Sequence, residues 1–339
     1  MKKRITIEDI AKECNVSKST VSRVLNNSPN VKESTRKKIL EVMKKYDYSP
    51  NVFARGLIGK KIGAIGVIVS DITNPFHAVL VRGIGDMCRT YGYSLFLCNT
   101  DGRVDEEIKH VKSLIQRNVD GIIFASIKLK DDGLNEAKKS GIPVLLVGRL
   151  PESAEGFNYV IVDNELGGYM AVSYLISLGH RKIAYLSGPW DTWPNMRRFE
   201  GYKRALEEKG IELDKKYIFK GDFTLDTAYS IGTKLLMMKN KPSAVFCAND
   251  MSAIGLLEAC MELGVKVPEE LSIIGFDDIP LSSFRTIQLT TVSQSIYDQG
   301  ALAGKILLEK LQKEDKNLSQ IVLPPKLVVR RTCAPPKED

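Results

Sequence analysis

From Ile62 onward the sequence alternates short β-branched runs with amphipathic stretches of helical period, and this alternation limits the possible folds more than any other feature. The runs are GAIGVIVSD, YSLFLCNTD, DGIIFAS, PVLLVGR, YVIVDN, KIAYLSGP, YIFKGDF, AVFCAND and LSIIGFDD. A helix between two strands returns the chain to the end where the first strand began, so consecutive strands pair in parallel and helices cover both faces. Nine strands are more than one compact sheet of this length usually holds. The expected α/β body is therefore two doubly wound parallel-sheet lobes, with crossings near Asp163-Asn164 and Thr291-Val292.

The 61 residues before this pattern differ in charge. They hold 15 Lys and Arg against 6 Asp and Glu, a net of +9, whereas the other 278 hold 34 against 35, a net of −1. All the excess positive charge sits in one short module, as suits a polyanion-binding head on a neutral body. Its patterning excludes a solvated basic tail. Thr6 can cap a helix with Ile7, Ile10 and Ala11 on one face, ending at Cys14-Asn15-Val16, where Asn15 tolerates a left-handed turn. Ser17 can cap a second helix that turns Val21, Val24 and Leu25 inward and Lys18, Ser19, Ser22, Arg23 and Asn26 outward. A third helix over 33–46 closes a small core with Ile39, Val42, Met43 and Tyr46. This describes an all-α helix-turn-helix. The residues alone leave two uses for it, DNA binding or helical protein docking.

The run TIEDIAKECNVSKSTVSRVLNNSPNVKESTRKKI, followed by YDYSPNVFARGL, resembles the DNA-binding head of the lactose repressor-like (LacI/GalR) family of bacterial transcriptional regulators, over residues 5–58. Cys14-Asn15 stands where that family usually has Ala-Gly, a departure expected to be structurally silent. The resemblance implies that Lys18, Ser19 and Arg23 read base edges, while Thr6, Ser17, Thr20, Ser22, Asn26 and Thr35 mostly hold phosphates. Residues 50–61 read by themselves as a linker too short to be a stable helix. The resemblance makes them a hinge helix that contacts DNA through Asn51 and Ala54 and wedges Leu57 into the minor groove.

In open α/β sheets ligands collect beyond the carboxyl ends of the strands. Asn74-Pro75-Phe76, Arg149, Asp163, Trp190 to Trp193, Phe223, Asn249-Asp250 and Asp277-Asp278 follow successive strands, a mixture that suits a polyhydroxylated or heterocyclic ligand. Asp250 also reads as the N-cap of a helix over 251–263, and Asp71 as a turn cap. The stretches DITNPF, VDNELGGYMA, LGHRKIAYLSGP, RRFEGYKRAL, AVFCANDMSAIG and IIGFDD resemble the effector-binding body of the same family, which is similar to periplasmic sugar-binding proteins. That resemblance implies effector contacts at Asn74, Phe76, Asp163, Arg198, Phe223, Asn249 and Asp277, with Arg198 clamping, Phe223 stacking and Arg197 as near competitor. Arg198 is expected to approach Asp163, Asn249 and Asp277. Arg149 and Trp193 join the set, and the two tryptophans favour a sugar over a purine.

The resemblance further implies that later segments cross back between lobes. The expected organisation is a head over 1–49, a hinge over 50–61, an N-terminal lobe over 62–163 plus about 292–323, and a C-terminal lobe over 164–291 plus about 324–339. A homodimer, possibly a tetramer, would bind pseudopalindromic operator DNA, with the Leu and Ile of helix 76–90 and the second lobe of the body in the dimer face. The alternatives are a catabolite regulator whose co-repressor is a phosphorylated carrier protein, and a purine-responsive repressor. The pocket residues favour a small effector, a sugar, and control of carbohydrate-utilisation genes.

Other classes fit poorly. No GxGxxG, GxSxG or Walker loop falls where a dehydrogenase, hydrolase or NTPase needs it. His77, His110 and His180 are isolated, and Glu107-x-x-His110 reads as the solvated face of a polar helix. No apolar run approaches the ~18 residues of a membrane span. Glu8, Asp9 and Lys12 interrupt any signal-peptide core, which argues against a periplasmic protein. Six scattered cysteines without a CxxC pair suit reduced cytoplasmic thiols. No catalytic residue, metal, cofactor or membrane partner is expected.

Overall fold

The computed structural model describes residues 5–25, 28–48, 61–126, 128–313 and 317–337. The chain divides between Ile62 and Gly63 into two compact units. In the first, α1 (Ile7–Cys14), α2 (Lys18–Leu25) and α3 (Glu33–Lys45) enclose Ile10, Ala11, Cys14, Val21, Val24 and Ile39. The Thr6 side chain caps α1 by accepting from the Asp9 amide while the Asp9 carboxylate accepts from the Thr6 amide, a reciprocal capping box. Asn15 ends α1 with φ 53°, in the left-handed region that an amide side chain tolerates. Ser17 Oγ accepts from the Thr20 amide at 3.1 Å and so starts α2.

The second unit contains two sheets. One orders β11-β5-β4-β3-β1-β2, all parallel, from β1 (Ala64–Val69), β2 (Ser94–Asn99), β3 (Gly121–Phe124), β4 (Val144–Val147), β5 (Asn158–Val162) and β11 (Gln320–Leu323). The other orders β12-β10-β9-β8-β6-β7, from β6 (Ile183–Ser187), β7 (Ile218–Lys220), β8 (Ala244–Cys247), β9 (Ser272–Asp277), β10 (Thr290–Ser293) and the antiparallel edge strand β12 (Lys326–Val328). Between the strands run α4 (Pro75–Tyr91), α5 (Val104–Gln116), α6 (Asp132–Ser140), α7 (Asn164–Ser177), α8 (Trp193–Glu208), α9 (Leu225–Leu236), α10 (Asp250–Glu262) and α11 (Ile296–Lys313).

Among the described residues, twelve strands replace the nine legible in the sequence. The additional three, β10 to β12, are three or four residues long, and no α-helix separates β9 from β10 or β11 from β12. Val292 and Ser293 still pair with β9, so the chain leaves the second lobe just beyond the expected Thr291-Val292. It crosses at 163–164, after Ser293, and again between β11 and β12, which gives each lobe non-contiguous chain.

Each lobe has the same winding, with strand order reversing between β1 and β3 in one and between β6 and β8 in the other. Such switch points open crevices at the strand carboxyl ends. The lobe helices are held close by glycine: a methyl on Gly83 would lie 2.3 Å from the Tyr297 carbonyl, and one on Gly300 would lie 2.1 Å from the Leu80 carbonyl. Leu80 and Ile84, expected to help form a dimer face, are instead fully buried within the lobe by this α4–α11 contact. Among the described residues, no helix is long and apolar enough to cross a membrane.

Candidate functional site

A cavity of about 570 Å³ lies where the two switch points face each other. Ser70 and Asp71 reach it from the end of β1, Ser126 from β3, Arg149 from β4, Pro189 and Asp191 from β6, Asn249 from β8 and Asp277 from β9. Asn74 caps α4 by accepting from the Phe76 amide at 3.0 Å, which fixes the Phe76 ring at the first lobe's wall. On the opposite wall Phe223 adopts φ 71°, a strained value for a bulky residue. Its ring lies over Gly188, where a methyl group would come within 2.2 Å. Gly188 thereby leaves room for an aromatic platform.

Arg198, 4% exposed, is held from several sides. Its Nε donates to Asn164 Oδ1 at 2.8 Å, Nη1 donates to the Ala248 carbonyl, and Nη2 lies 3.7 Å from Asp277 Oδ1. The guanidinium also stacks 3.8 Å from the Phe276 ring centroid. Asp277 adopts φ 128° and accepts from Gln294 Nε2. Burial pushes its carboxyl up to about 7, against the opposing pull of Arg198. Burial also lowers His77 to about 3, so its neutral ring meets Ser70 Oγ at 2.9 Å.

The lobes are tied at one rim. Lys128 Nζ lies 2.7 Å from Asp191 Oδ2, and the Leu129 amide donates to the Asp191 carbonyl at 3.1 Å. Beneath that rim Glu107 is 3% exposed, which corrects the expected solvated face. Its Oε2 accepts from Ser126 Oγ at 2.5 Å, and its partner His110 in the E-x-x-H run meets the Asn99 carbonyl instead of a metal-like cluster. Helix α5 is amphipathic, and Glu107 falls on the same buried face as Val111 and Leu114.

In the basic unit, Lys18, Ser19 and Arg23 are exposed on α2 opposite buried Val21 and Val24. Lys18 pairs with Glu8 at 2.9 Å, with both side chains more than half exposed. The Thr6 and Ser17 hydroxyls serve as helix caps, and Ser17 Oγ also meets Ser19 Oγ at 2.7 Å and Thr20 Oγ1 at 2.9 Å. Ser22 and Thr35 are partly buried. Asn26, Asn51, Ala54 and Leu57 lie outside the described residues.

Comparison with known proteins agrees with both halves. Residues 6–51 match the model of bacterial regulatory proteins of the lacI family, and residues 172–333 match that of the periplasmic binding protein-like domain. Catabolite control protein A of Priestia megaterium is 41% identical over 329 residues, 97% of this chain and 99% of that one. The chain belongs to the LacI family. Solved relatives include a Lac repressor dimer bound to operator and an anti-inducer (TM-score 0.84, 28% identity, 98% of this chain and 100% of that one). A LacI family regulator from Enterococcus faecium with bound ribose also matches (TM-score 0.73, 34% identity, 80% and 99%). Like these, this chain is a DNA-binding transcriptional regulator with a helix-turn-helix head and two parallel-sheet lobes.

Against that LacI-family frame, Asn74, Phe76, Arg149, Arg198, Phe223, Asn249 and Asp277 line one cavity, and two expected residues do not. Asp163 is spent capping α7, accepting from the Leu166 amide at 2.9 Å, and its neighbour Asn164 meets Arg198 in its place. Trp193 opens α8 without lining the cavity, and Trp190 packs edge-on against Phe199, ring centroids 4.9 Å apart. The tryptophans therefore supply no argument for a sugar. Asn249, not Asp250, caps α10, and its Nδ2 donates to the Phe223 carbonyl. Asp250 is wholly buried and accepts from Ser282, Thr291 and the Ile279 amide. Lys128, Ser126 and Gln294 went unnoticed in the sequence, because only the pairing of two distant lobes turns these loop residues toward a shared space.

Proposed function

We propose that this LacI-family regulator is switched by a small polyhydroxylated effector held in the interlobe cavity. One observation carries the reading: both switch points open into a single cavity of about 570 Å³, within the usual range for small-molecule sites. In this reading Arg198 and Asp277 grip hydroxyls, Phe223 and Phe76 cover apolar ring faces, and Asn74, Asn249 and Arg149 complete the contact set. The solved relative with bound ribose supports a sugar. Lobe closure around the ligand alters operator affinity only through differential binding to two body arrangements.

On the DNA side, Lys18, Ser19 and Arg23 read bases, and Thr6, Ser17, Thr20, Ser22, Asn26 and Thr35 contact phosphates. Residues 50–61 act as the hinge, with Asn51, Ala54 and Leu57 in the minor groove. A homodimer in the cytoplasm meets a pseudopalindromic operator and acts by binding, not catalysis. The similarity to catabolite control protein A favours a second reading, a role in catabolite control in place of one dedicated sugar operon. A thermal-shift screen of sugars, nucleobases and sugar phosphates tests the effector reading, with operator affinity measured for every hit. A sugar that stabilises the protein and changes operator affinity supports it, and stabilisation by nucleobases alone overturns it.

A further inference from the structure

We propose that the cleft ligand carries an anionic oxygen group, a phosphate or a carboxylate, which seats on Arg149 while the ligand's hydroxyls face the second lobe. This rests on the cleft-effector reading and sharpens its ligand class. Most charges in the cavity are already answered. Asp191 pairs with Lys128 at 2.7 Å, and Asp277 accepts from Gln294 beside Arg198. Asp71 accepts from the Thr73 amide and hydroxyl, and Asp222 accepts from Thr224 and Thr227. Asp101 accepts from Asn99 Nδ2.

Arg149 is the exception. Among the described residues no carboxylate lies within 4.0 Å of its guanidinium, and its one hydrogen bond is a long 3.5 Å donation to Ser70 Oγ.

Depth decides how these charges count. Asp101, Asp191 and Asp222 are exposed, where water screens them, whereas Arg149 and Arg198 approach the floor with Asp277 as the carboxylate between the lobes. Burial pushes Arg149 down to about 10 and the neighbouring Arg198 charge pushes the same way, opposed by Asp277 and then by Glu107 and Asp191, none of them within ion-pair distance. Asp277 is already engaged by Gln294 and Arg198 and leaves Arg149 without a close counter-charge. The two guanidiniums thus repel each other, while Asp277 lies within ion-pair distance of Arg198 and no carboxylate among the described residues lies that near Arg149. A neutral sugar closing over Arg149 would strip its water without answering its charge, which is costly. A planar fork of donors fits an oxyanion in two-point fashion, and the Ser70 hydroxyl stands beside it as a further donor.

Calorimetry with the full-length protein at constant ionic strength tests this with glucose, glucose 6-phosphate, gluconate, ribose, ribose 5-phosphate and inorganic phosphate. Inorganic phosphate should bind measurably, and at least one charged sugar should bind roughly 10- to 100-fold more tightly than its neutral parent. Comparing phosphates with gluconate distinguishes phosphate from carboxylate. In Arg149→Met and Arg149→Gln, whose melting checks folding, the preference should fall to near unity. Equal affinities for neutral and charged partners, no anion binding at all, or an unchanged preference in both variants would each overturn the proposal. Operator affinity separates the two levels. A neutral sugar that alone shifts it sinks the anion site but keeps the effector reading, whereas anions that bind through Arg149 without moving operator affinity do the reverse.

Discussion

Replacing Glu107 by Gln should stabilise the body. Glu107 is 3% exposed, its Oε2 is occupied by Ser126, and its Oε1 finds no donor. What Glu107 does meet is the Asp131 carboxyl, and two carboxyl groups can hydrogen-bond only through a proton. Burial first, and Asp131 second, push Glu107 up from 4.5 to about 9. A carboxyl raised in the folded state contributes stability that is complete below its unfolded pKa and is lost as pH rises toward the folded one. For Glu107 that window runs from 4.5 to about 9. At pH 7 the loss depends only on the unfolded value, provided the group remains protonated when folded. At 1.36 kcal/mol per unit, it comes to about 3 kcal/mol. Gln keeps both contacts, with its carbonyl accepting from Ser126 and its amide donating to Asp131, and takes up no proton. Glu107→Gln should therefore gain up to about 3 kcal/mol at pH 7, shrinking toward zero near pH 4. Urea unfolding followed by circular dichroism at pH 5, 6, 7 and 8 reads the difference. A variant less stable than wild type at pH 7, or two curves running parallel across the series, would refute the shared proton.

Arg23→Ala should cost ~1–3 kcal/mol of operator affinity and relax base preference locally, while Lys37→Ala, outside α2, costs less; binding titrations on single-base operator variants compare them. Arg198→Ala should lower affinity for the cognate effector at least ~10-fold by calorimetry. Arg197→Ala, which removes a half-buried pairing with Glu165 outside the cavity, should leave it within about twofold. Gly188→Ala should destabilise the body by ~1–3 kcal/mol in thermal unfolding and weaken effector binding, because the Phe223 ring must leave its platform. An unchanged melting temperature would show that the ring relocates freely.

Local chemistry was legible where one segment decides the outcome. Thr6, Asn15 and Ser17 declare the boundaries of α1 and α2 through capping and left-handed turns, and the inward faces of both helices follow from spacing. The β-branched runs likewise declare β1 to β9. β10 to β12 escaped although β3, β4, β7 and β8 are as short, because no α-helix separates β9 from β10 or β11 from β12. Resemblance brought Arg198 and Asp277 to one cavity, but helix capping competes for the same residue types, so Asp163 and Asn164 exchanged roles. Glu107 escaped because burial of a carboxyl depends on a neighbouring acid that sequence spacing does not reveal, here Asp131 at the cap of the next helix.

The proposed reading of DNA through α2 of the basic head is tested most directly by selection of binding sites from a random duplex library by the full-length protein. The expected product is a pseudopalindromic motif, bound with an affinity that falls steeply with salt at a slope of ~−0.9 per neutralised phosphate, and altered at defined positions by Arg23→Ala. Enrichment of no motif, or of the same motif at the same affinity by Arg23→Ala, would contradict it.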